Sequence, residues 1–265
     1  MLPGSSEYNY KPPLGSSINW SHPLSQGLVN CYLFNELIGL RIYDLVKDNH
    51  GNLLNGPIWN SSNNGYLQFD GNNDTIDFGD NLDIGLSSYT FCTSFRASSL
   101  SGLLHGIFSK SIAADATQRY ALFIYNNGAN YKISTFISNG SGSGSDVQPL
   151  SSINVATNVW YHVVVVYDRS DKVYLYVNGN LDSSATISQF QSVDFQSSYN
   201  FRIGSYGDAA NNPSFFFNGS ISNLQIYNRA LSAEEIKSLY ENPYQFLNPP
   251  SSLKYYSYRQ FGILN

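Results

Sequence analysis

Residues 215–240 read FFFNGSISNLQIYNRALSAEEIKSLY, and this stretch decides the fold. Ile221, Leu224 and Ile226 fall among polar neighbours, as along a half-buried strand. Asn228-Arg229-Ala230 then breaks the pattern as a turn. Ser232, followed three residues later by Glu235, is the reciprocal capping pattern of a helix start, and the helix it opens runs only to Tyr240. A strand, a turn and one short closing helix predict an all-β protein sealed by its C-terminal helix.

Working upstream, strand-like runs recur from Gly27: residues 28–34, 66–69, 75–78, 89–95, 104–109, 120–125 and 131–137. After a Gly/Ser loop at 139–145 come 160–167, 172–177, 201–204 and 219–227. Lys172-Val-Tyr-Leu-Tyr-Val-Asn-Gly-Asn is a strand entering an Asn-Gly turn, the strongest short hairpin signal. Around eleven short strands separated by turn residues predict a two-sheet antiparallel sandwich or jelly roll. No break in composition divides 27–240, which reads as one domain.

The ends differ from it. Residues 1–26 carry Pro3, Pro12, Pro13 and Pro23 with little periodicity and read as an extended N-terminal arm. Residues 241–265 form an aromatic C-terminal tail with Pro243, Pro249 and Pro250. A tail that follows the closing helix is expected to lie on the surface or against another protein. Trp20, Tyr244, Phe246, Tyr255 and Tyr256 are the expected interface residues, because aromatic anchors commonly dominate binding energy.

Charged residues make up only 12% of the chain, and polarity comes from Ser, Asn and Gly beside 21 Tyr and 16 Phe. The net charge of -5 offers no basic stripe for nucleic acid. The longest aliphatic run, 163–166, is far short of the roughly 20 residues that span a bilayer. The N-terminus has neither a basic end nor an apolar stretch, so no secretory leader is expected. Cys31 and Cys92 sit in apolar strand patterns and read as buried free thiols, although a disulfide is the alternative and needs their Cα atoms within about 7 Å.

Four segments resemble the laminin-G-like, concanavalin A-like jelly-roll domains of bacterial and phage surface proteins: GLVNCYLFNE (27–36), LQFDGNNDTIDFGD (67–80), VWYHVVVVYDRSDKVYLYVNGNL (159–181) and ISNLQIYNRALSAEEIKSLY (221–240). The opening KPPLGSSINWSHPLSQGLV and the Asn-Pro-Tyr after the helix look like copies carried by tailed-phage structural proteins. The resemblance implies a two-sheet antiparallel jelly roll with one short C-terminal helix. It also implies a virion setting, reached through host lysis without an export signal.

Catalysis is not expected. Related glycoside hydrolases need two carboxylates about 5 to 5.5 Å apart on one strand face. The five Glu, at 7, 36, 234, 235 and 241, form no such pair on any strand, and Asp70 with Asp74 or Asp77 with Asp80 read as turn residues. The four His form no zinc motif, and His162 alternates with apolar neighbours as a structural strand residue. Asp44-Leu-Val-Lys-Asp-Asn-His-Gly (44–51) resembles the family's calcium loop. By position the resemblance implies a structural calcium on Asp44, Asp48, Asn49 and Asn223. Against the family's pattern the loop is one residue shorter, Lys47 replaces a glycine, and Asn223 replaces an Asp. Asp70, Asn72, Asn73 and Asp74 make a second oxygen-rich loop, either a plain turn or a rim for calcium or sugar hydroxyls. The loops 125–130 and 206–217 combine Tyr and Asn as in a shallow sugar site, and as in most surface loops of a chain this rich in both residues.

The expected function is a non-enzymatic virion decoration or adhesion module, present in many copies or as a homo-oligomer. Its ends would dock to capsid or tail proteins, and its exposed face would meet host glycans. A stand-alone lectin and, less favoured, a glycoside hydrolase are the alternatives.

Overall fold

The computed structural model describes residues 11–111, 119–140, 146–207 and 211–250. Among these, two large antiparallel sheets pack face to face. The first runs edge to edge through Asp146–Val147, Tyr131–Ser138, Arg119–Asn126, Leu104–Lys110, Phe201–Ile203, Thr75–Asp77, Gly51–Leu54 and Arg41–Ile42. The second runs through Asn180–Thr186, Lys172–Val177, Trp160–Tyr167, Tyr89–Ala97, Asn218–Tyr227, Tyr66–Asp70 and Ile58–Asn60. Leu28–Tyr32 also pairs with Asn218–Tyr227. The protein is the expected all-β sandwich with one helix.

Alternation explains which side of each strand is buried. Along Arg119–Asn126, Tyr120, Leu122 and Ile124 enter the core between the sheets, while Phe123 and Tyr125 face outward. In Asn218–Tyr227 a bulge between Ile221 and Asn223 inserts the extra residue that lets Ile221, Leu224 and Ile226 all point inward. The uninterrupted valines of Trp160–Tyr167 mark a strand buried on both faces. Val163 and Val165 meet the inter-sheet core, and Val164 and Val166 meet a second core outside the sheet.

That second core is made by the helix and the two ends of the described chain. The helix Ala233–Glu241 starts at Ser232, whose hydroxyl accepts from the Glu235 N–H while the Glu235 carboxylate accepts from the Ser232 N–H. Arg229 clamps the same carboxylate through two N–H groups at 2.8 and 2.7 Å. Ile236 and Leu239 of the helix meet Ile18, Leu24, Tyr244 and Phe246, together with the free, buried Cys31 and Cys92. Ser17–Ile18 pairs antiparallel with Leu247–Asn248. No helix among the described residues is long and apolar enough to cross a membrane.

This corrects the reading of the ends as free arms. Residues 11–26 and 241–250 complete the domain. Tyr244 and Phe246 are buried in their own chain, because the outer face of the second sheet is apolar at Val164, Val166 and Tyr227 and needs a cover. Lys11 is also buried, its Nζ donating to the carbonyls of Gly65 and Ser222. Trp20 remains 60% exposed. Tyr255 and Tyr256 lie outside the described residues.

Candidate functional site

The outer face of the first sheet carries a smaller, separate aromatic cluster, itself buried, with Tyr125 and Phe215 more exposed at its rim. Phe123 and Phe136 come from neighbouring strands and pack with Ala121 and Tyr206. The Phe123 ring centroid lies 6.1 Å from that of Tyr206 and 6.5 Å from that of Tyr125. Phe215 continues the chain of rings at 6.2 Å from Tyr206, 40% exposed and with φ of 46°. A phenylalanine in that left-handed conformation is strained. It is held there by the 2.9 Å hydrogen bond from the Gly106 N–H to the Phe215 carbonyl.

Amides border these rings. The Asn126 N–H donates to the Leu103 carbonyl, and its Nδ2 donates to that of Gly102, which ties the 125–130 loop to the 101–104 segment. Asn127 Oδ1 accepts from the N–H groups of Ala129 and Asn130, fixing the loop as a tight turn. Asn127 and Asn130 are exposed. The structure thus brings together the two Tyr/Asn loops that the sequence marks separately. Of these rings only Tyr125 and Phe215 are accessible enough to stack on a sugar's apolar face, with the neighbouring amides placed to hydrogen bond its hydroxyls. The sequence could not show that Phe123 and Phe136 join them, since both look like ordinary strand residues.

The proposed calcium ligands do not form an open oxygen cage. Asp44 is buried, and its carboxylate accepts from the backbone N–H groups of Cys31, Val46 and Lys47 and from Asn30 Nδ2. Burial raises its pKa against those donors. Asp48 is exposed, with its carboxylate 3.9 Å from His50. The Asn49 carbonyl accepts from the Tyr32 hydroxyl. Asn223 Oδ1 accepts from the Ser94 N–H. As they stand these residues do not fit a cation, because protein donors already use the oxygens of Asp44 and Asn223. Among the described residues no group of three or more His, Cys, Asp or Glu could hold a metal ion.

The second oxygen-rich loop is a self-satisfied turn. Asp70 Oδ1 accepts from the N–H groups of Asn72 and Asn73, which holds its pKa below the ordinary value. Asp74 is buried, and its Oδ2 accepts from the Asp70 N–H. The Asn73 carbonyl accepts from Asn55 Nδ2. Asp77 is bound to Arg202 at 3.0 Å, and Asp80 to Lys110 at 2.8 Å. Glu36 is buried with Oε1 accepting from the Tyr43 N–H. None of these carboxylates is offered to a cleft as half of a hydrolytic pair.

The model of the Concanavalin A-like lectin/glucanases superfamily, laminin G type, matches residues 70–237. No curated protein sequence matches. Similar solved structures include the binding domain of Paraclostridial Mosquitocidal Protein 1, with TM-score 0.63 at 17% identity, covering 83% of this chain and 53% of that one. Domain 4 of AbnA, an extracellular arabinanase from Geobacillus stearothermophilus in complex with arabinotriose, has TM-score 0.60 at 19% identity and covers 80% and 97%. Trypanosoma rangeli sialidase in complex with sialic acid has TM-score 0.59 at 17% identity and covers 83% and 33%. The chain therefore spans about half the length of the toxin domain and nearly all of the arabinanase domain. At such identities the likeness is one of fold. Since the family model covers more than half of the sequence, the chain belongs to the concanavalin A-like lectin/glucanase superfamily, with the lectin-like fold of its laminin G type.

Proposed function

We propose that the protein is a non-enzymatic carbohydrate-binding adhesion module. Its sugar platform is the outer face of the first sheet around Tyr125 and Phe215. One observation carries the reading: Tyr125 and the 40% exposed Phe215 stand at the two ends of a chain of rings whose middle members, Phe123 and Tyr206, are buried and hold them in place, beside exposed Asn127 and Asn130. Arabinotriose and sialic acid in the similar structures belong to those proteins, and they support a sugar as the class of ligand here. The scattered, internally bonded carboxylates favour binding over hydrolysis.

Glycan-array screening followed by titration calorimetry tests this. Phe215→Ala and Tyr125→Ala should each weaken the best glycan at least about tenfold, the loss expected for a removed stacking contact of roughly 1.4 kcal/mol. Unchanged affinity in both variants overturns the platform, and release of new reducing ends from the bound glycan overturns the non-enzymatic reading.

A place on a phage particle, docked in many copies to capsid or tail subunits, is the setting we propose for this module. Trp20 supports it as a large exposed aromatic on the N-terminal segment. Trp20→Ser should then reduce incorporation into particles without changing the glycan affinity.

A further inference from the structure

The structure assigns a second binding site, on the other sheet, for the carboxylate or sulfate of an acidic saccharide. It centres on Arg96. The register places Trp160, Arg96, Ser220, Gln68 and Ile58 in one row across five adjacent strands. Residues directly opposite each other in antiparallel strands face the same way, so all five share the outer face. The helix covers that face further along the sheet, at Val164 and Tyr227. At this end Gln68 and Ile58 are exposed.

Among the described arginines that are not fully exposed, Arg96 is the exception. Arg119 pairs with Asp146, Arg202 with Asp77 and Arg229 with Glu235, while Arg169 donates to the carbonyls of Gly85, Phe190 and Val193. Arg96 has no carboxylate or carbonyl partner among the described residues. Its Nη2 reaches only the Tyr66 hydroxyl at 3.5 Å and Ser220 Oγ at 3.4 Å, both at the outer limit of a hydrogen bond, and its Nε has no partner. Asp70, one row along the same face, spends its oxygens on Asn72 and Asn73.

The guanidinium is nonetheless held in place. Its carbon lies 5.3 Å from the Trp160 ring and 5.6 Å from the Tyr66 ring, and those two rings meet edge to face at 5.6 Å. Stacking on aromatic faces fixes a guanidinium's plane and leaves its edge donors free. Nε is buried without a partner and Nη2 is only loosely bonded, so this half-buried guanidinium keeps positive charge and N–H donors for the paired oxygens of a carboxylate or sulfate. Gln68, exposed in the same row, stands beside it to take a sugar hydroxyl, while the buried Ser220 lies beneath.

The test follows the Arg96 Nε–H signal by 1H–15N NMR of the full chain at constant ionic strength. Glucuronate and glucose 6-sulfate should shift it saturably, glucose should leave it unmoved, and inorganic sulfate should bind more weakly than either acidic sugar. Arg96→Lys keeps the charge but loses the fork, and it should weaken glucuronate at least about tenfold. Phe215→Ala should leave this binding unchanged, which separates the site from the platform on the first sheet. Arg96→Met controls for folding through its melting temperature. No shift with any acidic sugar, or equal glucuronate affinity in wild type and Arg96→Met, overturns the site. Inorganic sulfate binding as tightly as the acidic sugars overturns its assignment to a saccharide.

Discussion

His162 shows how burial alone sets a titration. It sits on the outer face of the second sheet beneath Tyr240 of the helix, ring centroids 5.7 Å apart, and desolvation pulls its pKa down to about 4 from 6.5. The fold therefore favours neutral imidazole. Above pH 6.5 both folded and unfolded chains leave it neutral and nothing is lost. Between pH 6.5 and 4 only the unfolded chain takes the proton, so stability drains by about 3 kcal/mol at roughly 1.4 kcal/mol per pH unit. Urea denaturation at pH 7 and pH 4.5 should show this loss in wild type and a smaller one in His162→Phe. Lys11 works likewise at higher pH. Burial lowers it to about 7 despite Glu36, so its contribution rises between pH 7 and 10.5. Lys11→Met should flatten the gain in urea midpoint between pH 7.5 and 9.5. At this scale the sequence misleads in one specific way. Asp44 and Asp70 look like ligand oxygens because composition lists acceptors, whereas the backbone N–H groups that consume them belong to Cys31, Val46, Lys47, Asn72 and Asn73.

Among elements, those with strong periodicity or caps are the legible ones. Trp160–Tyr167 and Lys172–Val177 lie where the sequence puts them, and Ser232 and Glu235 form the reciprocal cap. Ser232→Ala should cost about 1 kcal/mol in a chemical melt, the usual worth of an N-cap hydroxyl. The strands that escape notice are edge or near-edge pieces. Asn180–Thr186 is mostly polar, and Gly51–Leu54 and Ile58–Asn60 are too short to establish a period. Gly204 shows a tighter constraint, with φ of +83° and a built Cβ only 2.4 Å from the Phe69 ring. Gly204→Ala should therefore destabilise by at least about 2 kcal/mol, from overpacking and backbone strain together. The platform on the first sheet was half legible: Tyr and Asn mark the loops, but only pairing across strands adds Phe123 and Phe136.

For the whole molecule, the main surprise is that the ends of the described chain belong to the core. Pro-rich and aromatic segments outside the periodic region read as arms, because their apolar contacts are to distant residues and no local pattern signals them. Phe246 is fully buried among Ile18, Leu24, Leu239 and Tyr244. Phe246→Ala should cost about 3 to 5 kcal/mol by guanidinium melting, the range for a deleted core phenylalanine. A truncation at Asn242 should unfold more easily for the same reason; equal stability would mean these residues add nothing to the second core.

The Ser17–Ile18 and Leu247–Asn248 pairing also has a mechanical side. Ser17 lies opposite Asn248, so the two strands leave the domain from the same end of their short ladder. Tension applied between residues 17 and 248 would peel that ladder apart one bond at a time instead of shearing the long strands of the sandwich. A molecule anchored through these segments and held by its platform would thus yield first at a small, quickly re-formed clasp, giving slack under load while the sandwich itself stays intact.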